Sequence, residues 1–340
     1  MAHRPLARTG GAEPSERRSL RGPVLGVPVT VAARRSRHVS PAVRQAGPYG
    51  RPVILPLALA AALATVVLAG LPALAAGGSA PPAPLQDSWS SRQGGLDPAR
   101  KPGIDGAGVL VAVLDTWVDR THPDFEGRAL VGADCVGGPC RDGQTRDSCN
   151  HGTHVAGIVG ASSFGTAPQA RILPVRVLSY DPATAECTGR PEDVARGIRW
   201  SLDQGAQVLN LSLGADVPGL ASGPLPAAVR EAVARGAVVV FSAGNGDVSV
   251  TDAYEGAALV VAATGPDGQL ASYSQRGAGV DLAAPGGDAV VADRCTREAC
   301  VTSLYPDGTY AVAAGTSMAA PMVSGVAALL LAQDPTRGRE

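Results

Sequence analysis

Lysine is almost missing from this 340-residue sequence: Lys101 is the only one among 29 basic residues. Together with 43 Gly and 28 Pro, this reads as the bias of a GC-rich genome, not as a phosphate-binding surface. Charge is scarce too, at 17% charged residues and a net charge of −1. That balance hides a split. Residues 1–52 carry ten Arg and two Glu, which leaves 19 basic and 28 acidic residues from Val53 onward and excludes a nucleic-acid-binding body. Aromatic residues are only 4%, yet 45% of the chain is hydrophobic, enough to bury a core and to exclude disorder of the whole. There is no C-x-x-C pair, no H-E-x-x-H and no repeat of fixed period, so the common zinc-finger, zinc-protease and solenoid readings have no support.

One long apolar run is present. Residues 53–76, VILPLALAAALATVVLAGLPALAA, follow Arg44 and Arg51 and precede GGSAPPAP, the layout of a secretory signal peptide. Pro56 and Pro72 interrupt the run, and Ala73-Leu74-Ala75 supplies a small-x-small site, so cleavage is expected after Ala75 or Ala76. An uncleaved membrane anchor is the alternative, and membrane association is expected only in that case. The Arg-rich leader 1–52 is read as disordered or as a start called too far upstream, and 77–104 as a linker. All six cysteines, Cys135, Cys140, Cys149, Cys187, Cys295 and Cys300, lie beyond the apolar run. An even number in an exported chain points to disulfides and a secreted or extracytoplasmic location.

The remainder, 105–340, alternates β-branched runs with helical patterns. Val109–Leu114, Ile172–Leu178, Val208–Ser212 and Ala237–Phe241 read as buried strands, and Thr153–Gly160, Pro191–Gln204 and Leu225–Arg235 as helices. Continuous apolar strands between helices imply an α/β fold with a mostly parallel central sheet covered on both faces.

Three histidines follow the apolar run. His122, in His-Pro-Asp, reads as structural. His151 and His154 share a helix face, a spacing that leaves a metal pair open, although no acidic third ligand is near in sequence. Ser317, in Gly-Thr-Ser-Met-Ala-Ala-Pro, precedes a strong helical pattern. With Pro321 placed in the first helical turn, Ser317 would sit at a helix N-terminus, where N–H groups and the helix dipole favour a developing oxyanion. A plain N-cap is the other reading. Asp115 ends the first strand, where open α/β sheets place their sites, and a turn role is equally open to it.

Taken together, VAVLDTWVDRTHPDF, NHGTHVAGIVG, NLSLG, VVVFSAGN and GTSMAAPMVSG resemble the subtilisin-like (subtilase) serine peptidases over roughly residues 105–333. The resemblance implies a three-layer subtilisin-like fold and an endopeptidase with the Asp…His…Ser order. Asp115 would orient, His151 would be the base and Ser317 the nucleophile, with His154 an ordinary helix residue. Asn245 matches the oxyanion asparagine, and Ser212, Leu213 and Gly214 the backbone edge that pairs with a polypeptide substrate. The P1 pocket would lie near these residues and near 242–244. Relatives in the proteinase K and aqualysin branch imply a Cys149–Cys187 bridge, leaving Cys135–Cys140 and Cys295–Cys300 as local pairs.

The pattern also departs from the family. Trp117 stands where a glycine is usual, either crowding the site or filling the surface beside it. Asn150 directly precedes His151, without the intervening glycine of the frequent Asn-Gly-His form. Asp124 matches a calcium-binding carboxylate of some relatives, but the segment after the His helix is short, so no calcium or other cofactor is expected. Only 23 residues follow Ser317, so the catalytic domain is expected to be truncated at its C-terminus, and there is no room for a folded pro-domain. That economy resembles the mycosin branch, though a C-terminal anchor is missing. A monomer is expected. The rival readings are a catalytically silent subtilase-like binding protein and, more remotely, metal hydrolysis through His151 and His154.

Overall fold

The structure, a computed structural model, describes residues 89–94, 103–146, 149–181, 186–214, 223–246, 254, 256–288, 290–291 and 294–336. The leader 1–52, the apolar run 53–76 and most of 77–104 lie outside the described residues. Within the stretch read as linker, however, Trp89–Gln93 form a helix, α1. Five residues are too few to show a period, so only tertiary bonds reveal it: Trp89 Nε1–H donates to the Cys300 carbonyl (3.1 Å), and the Gln93 amide bridges Thr264 and Gly265.

In chain order the elements that follow are β1 (Leu110–Asp115), β2 (Ala133–Asp134), β3 (Arg141–Asp142), α2 (His151–Gly160) and β4 (Arg171–Arg176). Then come β5 (Ser179–Asp181), β6 (Glu186–Thr188), α3 (Pro191–Asp203), β7 (Val208–Gly214), α4 (Pro224–Ala234) and β8 (Val238–Ser242). The last are β9 (Leu259–Thr264), β10 (Leu282–Pro285), β11 (Val290–Val291), β12 (Arg294–Cys295), β13 (Val301–Tyr305), β14 (Thr309–Ala313) and α5 (Thr316–Gln333). The central sheet runs β10-β9-β8-β7-β1-β4-β2-β3, parallel except for the edge strand β3.

Alternation along each strand sorts the core into two halves. Ala112 and Leu114, Leu209 and Leu211, and Val239 and Phe241 face α3 and α4, whereas Val111 and Val113, Val208, and Val238 and Val240 face α2 and α5. The sheet is thus covered on both faces, and the three-layer α/β expectation holds. Gly197 lets α3 lie against the sheet, since a Cβ there would stand 2.6 Å from a Val177 methyl. At Gly132 the backbone has φ +67° and a Cβ would fall 1.9 Å from the Pro174 carbonyl oxygen, so only glycine fits.

Successive strands are laid on opposite sides of β1, with β4 on one flank and β7 on the other. The carboxyl ends of β1, β7 and β8 therefore meet at a topological switch point, where α/β sheets bind ligands. All three expected disulfides form: Cys135–Cys140, Cys149–Cys187 and Cys295–Cys300. The second spans 38 residues, the largest loop of the three. Replacing Cys149 and Cys187 by Ser should lower the unfolding free energy by about 3–4 kcal/mol on the chain-entropy estimate. Denaturant titration of the oxidised wild type and the variant measures it, and equal midpoints would deny the bridge a stabilising role.

Candidate active site

Asp115 is the last residue of β1 and is fully buried. A carboxylate taken out of water needs donors, and it has them. His151 Nδ1–H reaches its two oxygens at 2.8 and 3.0 Å, and the Thr116 N–H donates to Oδ1 at 2.7 Å. His151 can come this close because it opens α2 beside a glycine. A Cβ on Gly152 would stand 2.8 Å from the carbonyl oxygens of both Thr116 and Trp117, and the Gly152 N–H donates to Thr116 Oγ1 at 2.8 Å. Asn150 makes the sharp entry into the helix itself, with φ +53°, a left-handed conformation that asparagine tolerates. Its Nδ2 donates to the Tyr305 hydroxyl at 3.1 Å.

Burial works against charging of the His151 imidazole, but the Asp115 charge and hydrogen bond outweigh it and hold the pKa above the ordinary 6.5. His154 behaves in the opposite way. Burial, and then the proximity of His151, push its pKa down to about 4, and its Nε2–H donates to the Ala311 carbonyl at 3.3 Å. The two rings are thus committed to different partners. Among the described residues no three His, Cys, Asp or Glu side chains gather as metal ligands. The Asp124 carboxylate accepts the Ser163 N–H (3.0 Å) and Oγ–H (2.6 Å). His122 is structural, accepting from the Asp124 N–H and lying 3.0 Å from the Thr309 carbonyl.

Ser317 is the second residue of α5, and Gly315, not a hydroxyl residue, occupies the cap position. Ser317 therefore does not serve as an N-cap. Its Oγ–H donates to the Ser212 carbonyl at 3.3 Å. Pro321 requires a correction: it is the sixth residue of α5, not part of the first turn. A proline there removes the N–H that the Ser317 carbonyl would normally accept, and a buried acceptor left bare costs about 1–3 kcal/mol. The Ser212 hydroxyl supplies the missing donor at 2.9 Å. Ser212 was expected to contribute only its backbone edge. Its side chain instead braces the residue opposite.

Asn245 follows β8, and its Oδ1 accepts both the Thr316 N–H and Oγ1–H at 2.9 Å. With the oxygen end fixed, the amide Nδ2 is left as the donor, in a 350 Å³ cavity lined by Gly214, Ser242, Gly244, Gly246, Thr316 and Ser317. A second cavity of 400 Å³ joins His151 and Ser317 to apolar walls from Leu178, Val194 and Leu213, with the Cys149–Cys187 bridge on its rim. Asn210 is the last β7 residue paired with β1, and Ser212, Leu213 and Gly214 line the apolar cavity. Trp117 lines neither cavity. It is 7% exposed and lies under the Arg146 guanidinium, 4.8 Å from the ring centroid, so it fills the neighbouring surface and does not crowd Ser317.

Residues 106–339 match the model of the Subtilase family, peptidase family S8. The chain belongs to the subtilase family. It is 38% identical to thermitase of Thermoactinomyces vulgaris over 172 residues, which is 48% of this chain and 58% of that protein. It is 40% identical to subtilisin BL of Lederbergia lenta over 156 residues, 44% of this chain and 53% of that one. The chain thus spans about half the length of these curated relatives. Among solved structures, a protease from Pseudoalteromonas arctica PAMC 21717 aligns with a TM-score of 0.60 at 33% identity, covering 69% of this chain and 80% of that one. A cold-adapted subtilisin-like serine proteinase aligns with a TM-score of 0.57 at 34% identity, covering 69% and 79%.

In this subtilase the residues missed from sequence are Thr316, which anchors Asn245, and Asn210, a lone amide in the apolar run of β7. That amide was the available signal. Two outcomes follow from the geometry. Gly152→Ala should separate His151 from Asp115 and lower any His151-dependent rate by about 10² or more, the scale of a 1 Å displacement. A wild-type rate in the folded variant would contradict this. The raised pKa of His151 should place the acid limb of a kcat/KM profile above pH 6.5, and Asp115→Asn should move it down. By the same sign, protonated His151 stabilises the fold fully below pH 6.5, and that contribution is lost as pH rises through the raised value.

Proposed function

We propose that this subtilase is an exported serine endopeptidase that cleaves polypeptides through an acyl-enzyme on Ser317. The observation that carries the reading is the buried Asp115 carboxylate fixing Nδ1 of His151, an imidazole that shares one cavity with the Ser317 hydroxyl. A serine hydroxyl is a weak nucleophile until a neighbouring base takes its proton. With Nδ1–H held by Asp115, Nε2 carries the lone pair, so the tautomer is already the one a base requires.

At rest the Ser317 hydroxyl lies on the Ser212 carbonyl. A substrate strand added along 212–214 brings a backbone N–H to that edge and competes for the same oxygen. Ser317 Oγ–H then turns to His151 Nε2, gives up its proton and attacks the peptide carbonyl. The tetrahedral oxyanion accepts hydrogen bonds from the Ser317 N–H, which has no acceptor within its own helix, and from Asn245 Nδ2. Protonated His151 returns the proton to the departing amine. Water, activated by the same imidazole, then releases the acid. The glycine-lined cavity takes the side chain before the scissile bond. The apolar cavity beside His151 takes a hydrophobic side chain further along the strand.

Export rests on the apolar run 53–76 and agrees with three disulfides in the folded body. A fluorophosphonate probe, which labels only an activated serine, tests the reading on the purified chain. Labelling lost in Ser317→Ala is the expected result, and an unlabelled wild type would leave a silent binding protein. Asn245→Ala should lower kcat by roughly 10²–10³ with little change in KM, the magnitude already known for the corresponding donor in subtilisin. Measured Michaelis parameters separate this from a binding defect.

A further inference from the structure

Three buried polar side chains between β7 and α5 form one directed chain. Ser324, in the third turn of α5, lies 2.8 Å from Asn210 Oδ1; Asn210 Nδ2 lies 3.1 Å from Ser212 Oγ; Ser212 Oγ lies 2.9 Å from the Ser317 carbonyl oxygen. Asn210 and Ser324 are fully buried among aliphatic neighbours, and Ser212 is 5% exposed. The direction of every bond is forced by its last member. A carbonyl oxygen can only accept, so Ser212 donates to it; Ser212 Oγ then accepts from the Asn210 amide nitrogen, and Asn210 Oδ1 accepts from the Ser324 hydroxyl.

We infer that Asn210 and Ser324 are positioning residues for Ser317, acting through the Ser212 hydroxyl to replace the helix donor that Pro321 lacks. The inference rests on the reading of Ser317 as nucleophile. The arrangement separates two demands. Pro321 frees the Ser317 carbonyl from the helix ladder, and the chain of three side chains recaptures it from the sheet. Orientation of the nucleophile is thus set by β7, the strand whose edge receives substrate, and not by α5 alone. Since a ladder bond would satisfy the carbonyl more simply, the buried amide and two hydroxyls gain their purpose from this geometry.

The test uses the full chain, with labelling rate by a fluorophosphonate, kcat and KM on a peptide substrate, and thermal melting measured together. Asn210→Ala and Ser212→Ala are expected to lower kcat and the labelling rate about 10–100-fold, with KM within about twofold, as for small misplacements of a reacting group. Ser324→Ala should lower both severalfold, and Ser324→Thr, which keeps the hydroxyl, should restore them. Pro321→Ala returns an N–H to the Ser317 carbonyl, so in that background Asn210→Ala should cost much less. If Asn210→Ala fails to fold, the Ser324 pair reads the same chain. Folded variants labelled at the wild-type rate overturn the inference and leave the catalytic reading intact. So does an activity loss that Pro321→Ala does not relieve, because the loss then lies in the strand and not in the carbonyl. A wild-type chain that is not labelled overturns both.

Discussion

A carboxylate buried at the end of a central strand is the constraint around which this molecule is arranged. Asp115 has no access to water, so its charge must be met by donors held in place by the fold. One is its own neighbour's N–H. The other is an imidazole that has to arrive from another element at 2.8 Å. That single distance dictates where α2 begins, why its second residue has no side chain, and why the residue before it is an asparagine able to take a left-handed turn.

The segment carrying His151 is tied down on several sides. Cys149 bonds Cys187 on the rim of the apolar cavity, and Asn150 reaches Tyr305 on β13. Arg146 lies over Trp117 and pairs with Asp307 in the β13–β14 turn, whose N–H in turn donates to Asp119 at 2.9 Å. Exposed ion pairs of this kind contribute little stability individually. Their shared effect is geometric, because they approach one short segment from β1, from the β5–β6 hairpin and from the β13–β14 hairpin. Such over-determination holds the Asp115–His151 hydrogen bond in one geometry, where a looser frame would leave the buried carboxylate uncompensated.

Much of this was legible in the sequence because apolar runs are unambiguous when a strand is buried on both faces. The apolar runs Val109–Leu114 and Ile172–Leu178 fall within one or two residues of β1 and β4, and the helical patterns likewise coincide with α2, α3 and α4. Asp115, His151, Ser317 and Asn245 were found by their motifs, and the structure gathers them at one end of the sheet. What stayed hidden depended on tertiary partners. Helix α1 exists through its bonds to Cys300, Thr264 and Gly265, which no local pattern encodes. The side that Trp117 takes depends on Arg146, which lies over its ring. Proline is at home in a first helical turn, yet Pro321 sits one turn deeper, where the Ser212 hydroxyl supplies the donor that the helix lacks.

The depth of Pro321 in α5 changes what holds Ser317. A helix N-terminus alone would hold Ser317 by its own ladder, and the residue would move with α5 whenever the helix shifted. Breaking the ladder at Pro321 and mending it from β7 couples Ser317 to that strand as well as to its own helix. Asp115 belongs to β1, the neighbour of β7 in the same sheet, and Asn245 follows β8 on the other flank. The Asp115 carboxylate, the brace on the Ser317 carbonyl and the Asn245 amide are thus referred to three adjacent strands of one hydrogen-bonded sheet. The helices α2 and α5 deliver the side chains that must approach one another, and the sheet fixes how closely they do so.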